Sequence, residues 1–262
     1  MIRKINLLVM YNLMSKIIHC KNGSRSEENG WIKINVKGSP REIGVAHGML
    51  LHNEIREVID TMEFTVPHYY GFTREDLANI ISTIYKDTIK EKYNEIFIEM
   101  EGIVAGANKK GANVNFDDIL LWNCWYSLDY ISGGFKKIIM NHPNLKEKYG
   151  DFYAGNIEPK RGGGRDRCSG FIAVGDWTHD GKIVCAHNTF DNFIDSQNCN
   201  IMMTLKPHNG NSFIMQCAPG QICSGTDYYV TSNGFIVTET TIGGFEAFEV
   251  RDPVCVRIRK AV

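Results

Sequence analysis

The spacing of apolar residues changes from helical to strand-like at Cys168, and that change restricts the fold class. Between Pro40 and Ile131 apolar residues recur at intervals of three and four, the period of a helix that buries one face. After Cys168 short runs alternate with a period of two and are separated by turn residues. A helical first half followed by consecutive hairpins is an α+β layout, not an alternating βαβ one.

The helical half begins after one strand, WIKINVKG, which alternates from Ile32 to Val36. In REIGVAHGMLLHNEIREVIDTMEF the apolar stripe is Ile43, Ala46, Leu50, Ile55, Val58 and Met62. Thr73 with Asp76 forms a capping-box variant before a second helix, and Asn115 is an N-cap before FDDILLWNCWYSLDY. EIFIEMEGIVAGANKKG is a further helix that stops at its glycines. After Cys168, three hairpins are expected around THDG, HNG and Asn233-Gly234. The expected divisions are 1–30 (an N-terminal extension, with 20–30 a linker), 31–135 (strand plus helices), 136–167 (a loop) and 168–262 (β-rich). The chain ends at RIRKAV with no element to cover the second face of three hairpins, so a longer, C-terminally continued protein is expected. No internal repeat is present.

The net charge of −1 over 262 residues gives no bulk attraction to nucleic acid or anionic membrane. The Arg-Gly run before Cys168 lacks the lysine of a phosphate loop and reads as a flexible linker. No apolar run approaches the roughly 18 residues that span a bilayer. The N-terminus has a basic start and a short apolar stretch interrupted by Asn6 and Asn12. If it acts as a signal, the location is secreted or lysosome-like. Asn22-Gly23-Ser24 is a lone glycosylation sequon. The eight cysteines include no C-x-x-C pair, so no zinc site is expected from spacing. His179, Cys185, His187 and Asp191 can be grouped on paper, but two of the four lie outside one strand, and neither metal nor other cofactor is expected. His47 and His52 read as solvated or capping residues. Trp122, Trp125, Tyr126 and Tyr130 read as core against the sheet, or as walls of an acyl pocket.

Cys20, Cys124, Cys185, Cys199, Cys217, Cys223 and Cys255 read as small hydrophobes, the usual state of free cysteine. Cys168 differs because it joins a Gly/Arg-rich, exposed loop to an apolar strand taken as buried. If the bond before it is cut, its own α-amino group, with a pKa of roughly 8, can act as base for the thiol. A papain-like arrangement is disfavoured, since only His179, His187 and His208 follow and all are near in sequence.

The block RCSGF, the AHNTF that follows its hairpin, and APGQICSGTDYYVTSNGFIVTETTIGG together resemble the phospholipase B-like (lamina ancestor) family. GWIKINVKGSPREIGVAHGMLL is similar to the entry of related acyltransferase and penicillin-acylase-like cysteine hydrolases. The resemblance covers residues 31–262, with strong blocks at 167–191 and 218–244. It implies the αββα sandwich of an N-terminal nucleophile hydrolase, with autocleavage between Arg167 and Cys168 and with Cys168 as nucleophile. It further implies that His187 and Asn188 lie at the site, that Asp191 contacts the new amine, and that Thr240 and Thr241 position the substrate or its oxyanion. Phe190 stands where the family has Trp, at the acyl pocket wall. The resemblance implies an Asn and an Arg beyond Val262. The expected substrate is a small acyl lipid or acyl amide. The alternative is an unprocessed or non-catalytic homologue that binds such a ligand or serves a structural role. Sequence gives no oligomeric state.

Overall fold

A computed structural model describes residues 17–131, 134–151, 168–191, 193–240 and 250–262. The strands are β1 (Ile18–Cys20), β2 (Gly23–Glu28), β3 (Trp31–Gly38), β4 (Ser169–Gly175), β5 (Gly181–Asn188), β6 (Ile201–Pro207), β7 (Phe213–Cys217), β8 (Tyr229–Thr231) and β9 (Ile236–Val237). The helices are α1 (Pro40–Leu50), α2 (His52–Tyr70), α3 (Arg74–Lys92), α4 (Asn94–Lys109), α5 (Phe116–Asn123), α6 (Trp125–Ile131), α7 (Phe135–Asn141), α8 (Pro143–Tyr149), α9 (Phe193–Ser196) and α10 (Val254–Ala261). The fold is α+β, as the change of period requires.

Among the described residues, seven strands form one sheet in the order β1-β2-β3-β6-β7-β8-β9, and β4-β5 stand apart as a pair. All neighbours are antiparallel except β3 and β6, which run parallel with Ile34 opposite Met203. The strands after Cys168 pair antiparallel with one another, as their hairpin turns imply. The parallel pair arises because the helical half is the long crossover that parallel strands need. In β3 the burial alternates strictly, and Ile32, Ile34 and Val36 face the helices beside Ile201, Met203, Leu205, Met215 and Cys217. Each of these side chains removes apolar area worth about 25 cal/mol per Å² from water, which anchors the strand register.

Residues 23–28, inside the expected 20–30 linker, form β2, which pairs with β3 on one side and with the short edge strand β1 on the other. Asn29 and Gly30, with φ of 52° and 79°, make the tight turn into β3. Arg25 on β2 donates to the Leu50 carbonyl at 2.7 Å, so a cation meets the C-terminal end of α1. The sequon residue Asn22 donates its side-chain amide to the Lys37 carbonyl at 3.0 Å. The expected loop at 136–167 is partly helical. Phe135 with Ile139, and Leu145 with Tyr149, repeat at four residues and are buried, so α7 and α8 dock on the core. Arg167 and the rest of the segment from 152 lie outside the described residues, as do the residues before 17 that carry the possible signal.

The caps at Thr73 and Asn115 form as expected, with backbone N–H groups of Asp76 and Asp118 donating to their side chains. Two expected single helices are each broken in two. At Leu51 the backbone leaves the helical region, and His52 Nδ1 takes a position 3.0 Å from the Met49 carbonyl. At Cys124, with φ of −90° and ψ of 1°, a second break separates α5 from α6. α1 packs directly on α4, through Gly44 and Gly48 against Gly102 and Gly106. A Cβ built on Gly48 would lie 2.1 Å from the Ile103 carbonyl oxygen. No helix among the described residues is long and apolar enough to cross a membrane.

Candidate functional site

The site lies where the β4-β5 hairpin meets the loop between β7 and β8. Register pairing sets Ser169 opposite Asn188 and Gly170 opposite His187. That places Cys168, just before β4, beside the residues that follow β5. The Phe190 N–H donates to Cys168 Sγ at 3.4 Å.

The loop from Ala218 to Asp227 is buried through Gly225 and is fixed by side chains of the helices. His47 Nε2 accepts the Gly220 N–H at 3.0 Å, so His47 is a buried strut and not the solvated or capping residue expected. Trp122 Nε1 donates to the Pro219 carbonyl at 2.9 Å. Asn123 donates to the Gly220 carbonyl at 2.9 Å and accepts the Ile222 N–H at 2.8 Å. The Ser224 hydroxyl accepts the N–H groups of Thr226 at 3.2 Å and Tyr228 at 3.0 Å, closing a turn around Asp227. Asp227 has a φ of 56°, a left-handed conformation that Asp tolerates better than most residues. Asn123→Ala would leave two buried backbone groups without partners. It is expected to lower stability by about 2–6 kcal/mol, at roughly 1–3 kcal/mol per orphaned group, read as a shift in the urea midpoint.

One polar chain joins the hairpin to this loop. Thr189 Oγ1 donates its single proton to the Thr226 carbonyl at 3.0 Å. Its 3.3 Å contact with His187 Nδ1 therefore has Nδ1–H as donor. That assigns the proton of neutral His187 to Nδ1 and leaves the lone pair on Nε2. Nε2 is shielded from solvent and has no hydrogen-bond partner among the described residues. Ligand-type atoms of Cys168, His187 and Asp227 all lie within 4.8 Å of one another.

Burial pushes the Asp227 carboxyl up to about 7, helped by the charges of Glu239 and Asp191 and a hydrogen bond with Glu239. Asp227 was given no role from sequence, although it stands in the SGTDYY block. Its signal was present there, but its approach to Cys168 depends on a loop held by residues about a hundred positions away.

The other expected residues divide clearly. Asn188 is exposed and reaches Ser169 Oγ at 3.5 Å. Asp191 is exposed near Asp227. Thr240 places its methyl 3.8 Å from where a Cβ on Gly170 would sit, while Thr241 lies outside the described residues. Phe190 is 61% exposed and Phe171 56%. The β4-β5 hairpin, taken as buried, is largely exposed, because no described element packs over it. His179 is exposed at the hairpin turn and Cys185 is half-buried, so the donor set weighed from sequence is not the one assembled. Of the aromatic group, Trp122 and Trp125 are core, Tyr126 is half-buried and the Tyr130 side chain lies outside the described set. Trp122 also borders a small cleft with Val58, Met62 and Ile194. Cys124, Cys199, Cys217, Cys223 and Cys255 are buried, whereas Cys20 is half-buried.

The model of the family described as phospholipase B matches residues 48–254. An uncharacterized protein of Archaeoglobus fulgidus is 29% identical over 197 residues, which cover 73% of this chain and 30% of that protein. A putative phospholipase B-like 2 of Rattus norvegicus is 30% identical over 103 residues, covering 34% of this chain and 16% of its own length. The chain thus matches less than a third of the length of these curated relatives.

Proposed function

This chain belongs to the phospholipase B family, and on that premise we propose that it hydrolyses an acyl amide or ester with Cys168 as nucleophile. The observation that carries the reading is the convergence of Cys168, His187 and Asp227 within 4.8 Å. The Phe190 N–H aimed at the sulfur supports it.

In this mechanism the bond between Arg167 and Cys168 is first hydrolysed, freeing the Cys168 α-amino group. The amine takes the thiol proton, and the sulfur attacks the acyl carbonyl carbon. The bond to the leaving group breaks, and the leaving oxygen or nitrogen takes the proton from the amine. Water then attacks the thioester, restoring the thiol and releasing the carboxylic acid. Asn188 and Thr240 are the nearby polar groups suited to position the carbonyl. Exposed Phe171 and Phe190 offer apolar surface for the acyl chain.

A second reading is favoured by one observation, the bare Nε2 of His187. In an uncut chain this lone pair can take the Cys168 proton itself, with Asp227 opposite. Intact mass spectrometry of wild type beside Cys168→Ala, with an acyl-ester and acyl-amide assay on both, separates the readings. The first expects fragments 1–167 and 168–262 only in wild type, and hydrolysis only there. An uncut but active wild type supports His187 as base. Equal hydrolysis by the Ala variant would eliminate Cys168 as nucleophile in either form.

A further inference from the structure

The donor set at this site matches a metal chemistry that sequence spacing did not suggest. A thiol, an imidazole and a carboxylate converge from three separate segments: the start of β4, the end of β5 and the β7-β8 loop. Zinc bonds of about 2.0–2.3 Å in a tetrahedron place neighbouring donors roughly 3.3–3.8 Å apart. Ligand-type atoms of the three residues lie within 4.8 Å of one another, close to that spacing. The independent sign of a ligand is His187 Nε2, shielded from water and without a partner among the described residues. A buried ring nitrogen in that state loses hydration and gains nothing in return, unless a proton or a cation meets it. Its other nitrogen is held by Thr189, and Thr189 in turn by the Thr226 carbonyl. This is the outer support that orients metal-binding histidines.

We propose that Cys168 Sγ, His187 Nε2 and the Asp227 carboxylate bind Zn²⁺, leaving a fourth position open. The sulfur and nitrogen donors select zinc over magnesium or calcium, which take all-oxygen sets. Asp191 and Glu239 beside Asp227 add negative charge that favours a cation. A zinc-bound thiolate has its electron pair engaged and does not attack a carbonyl. Zinc therefore switches hydrolysis off reversibly, a consequence that rests on Cys168 being the nucleophile as proposed above.

The probe is Co²⁺ titrated into the full chain under reducing conditions, read by its sulfur-to-cobalt charge-transfer absorption. One equivalent is expected to produce the band, and Zn²⁺ to bleach it. Cys168→Ser abolishes the band, and Cys185→Ser, two residues from His187, retains it. His187→Ala and Asp227→Asn each weaken zinc binding by at least the roughly 10–100-fold seen when only supporting residues are lost. Circular dichroism confirms that each variant is folded. No band in wild type, or a band that survives in Cys168→Ser, overturns the site. Hydrolysis measured in the same samples keeps the two ideas apart. A band with uninhibited hydrolysis retains the metal site and removes Cys168 as nucleophile. Cys168-dependent hydrolysis without a band does the reverse.

Discussion

Gly48→Ala is expected to lower the stability of this protein by about 3 kcal/mol or more, the upper end of the usual overpacking range. In an exposed helix the same change would stabilise by about 1 kcal/mol, because alanine restricts the unfolded chain and suits helix better. Here the sign reverses for a local reason. The new methyl would sit 2.1 Å from the Ile103 carbonyl oxygen and 2.7 Å from the Ala107 nitrogen, both backbone atoms of α4. Neither can rotate away, so the helices must separate. Gly106 faces the Val45 carbonyl in the same way, with 2.2 Å to a built Cβ. The four glycines thus let the two backbones approach closely.

Separation of α1 from α4 reaches the candidate site, because α1 also carries His47. Equilibrium urea unfolding of Gly48→Ala and of Gly44→Ala/Gly48→Ala tests the contact. The single variant should show a lower midpoint, and the double variant should fail to give a cooperative transition, since total stability is only about 5–15 kcal/mol. A midpoint raised by either substitution would mean that the helices are not in backbone contact.

What sequence made legible, and what it did not, divides by the range of the interaction. The caps at Thr73 and Asn115 depend on a side chain and a backbone three residues on, so a local reading found them. The alternation of β3 reports one buried face and survived intact. β1 and β2 were missed because β1 is a three-residue edge strand and β2, GSRSEE, is polar throughout, and polar composition reads as linker. The breaks at Leu51 and Cys124 were missed because the apolar stripe runs through both. At the site, Cys168 and His187 stood out by their neighbours in sequence, and hairpin pairing brings them together. Asp227 did not, because its position depends on Trp122, Asn123 and His47, each far away in the chain. His47 was misread for the same reason: its partner is the Gly220 N–H, 173 positions later.

Acid should destabilise this protein through that histidine. Burial, with the positive charge of Arg259 adding to it, lowers His47 from its usual 6.5 to about 3. In the folded state Nε2 accepts the Gly220 N–H, and a proton there would replace acceptor by donor. Above pH 6.5 His47 is neutral in both states, and its titration has no effect. As pH falls below 6.5 the unfolded chain binds a proton that the folded chain refuses, down to about pH 3. Each pH unit in that window removes about 1.4 kcal/mol, so about 2.7 kcal/mol is lost by pH 4.5. Glu99, buried beside Arg259 at 2.7 Å, acts with the opposite sign, since burial raises its carboxyl and the folded form takes protons more readily. His47→Gln keeps an acceptor for Gly220, removes the titration and leaves Glu99 in place. Urea unfolding of both proteins at pH 7 and pH 4.5 isolates His47 by difference. Wild type is expected to lose roughly 2–3 kcal/mol more than the variant on acidification, and parallel losses would show that His47 takes up protons in the fold. The strut holds the loop that carries Asp227, so acid unfolding and loss of the site should follow the same curve.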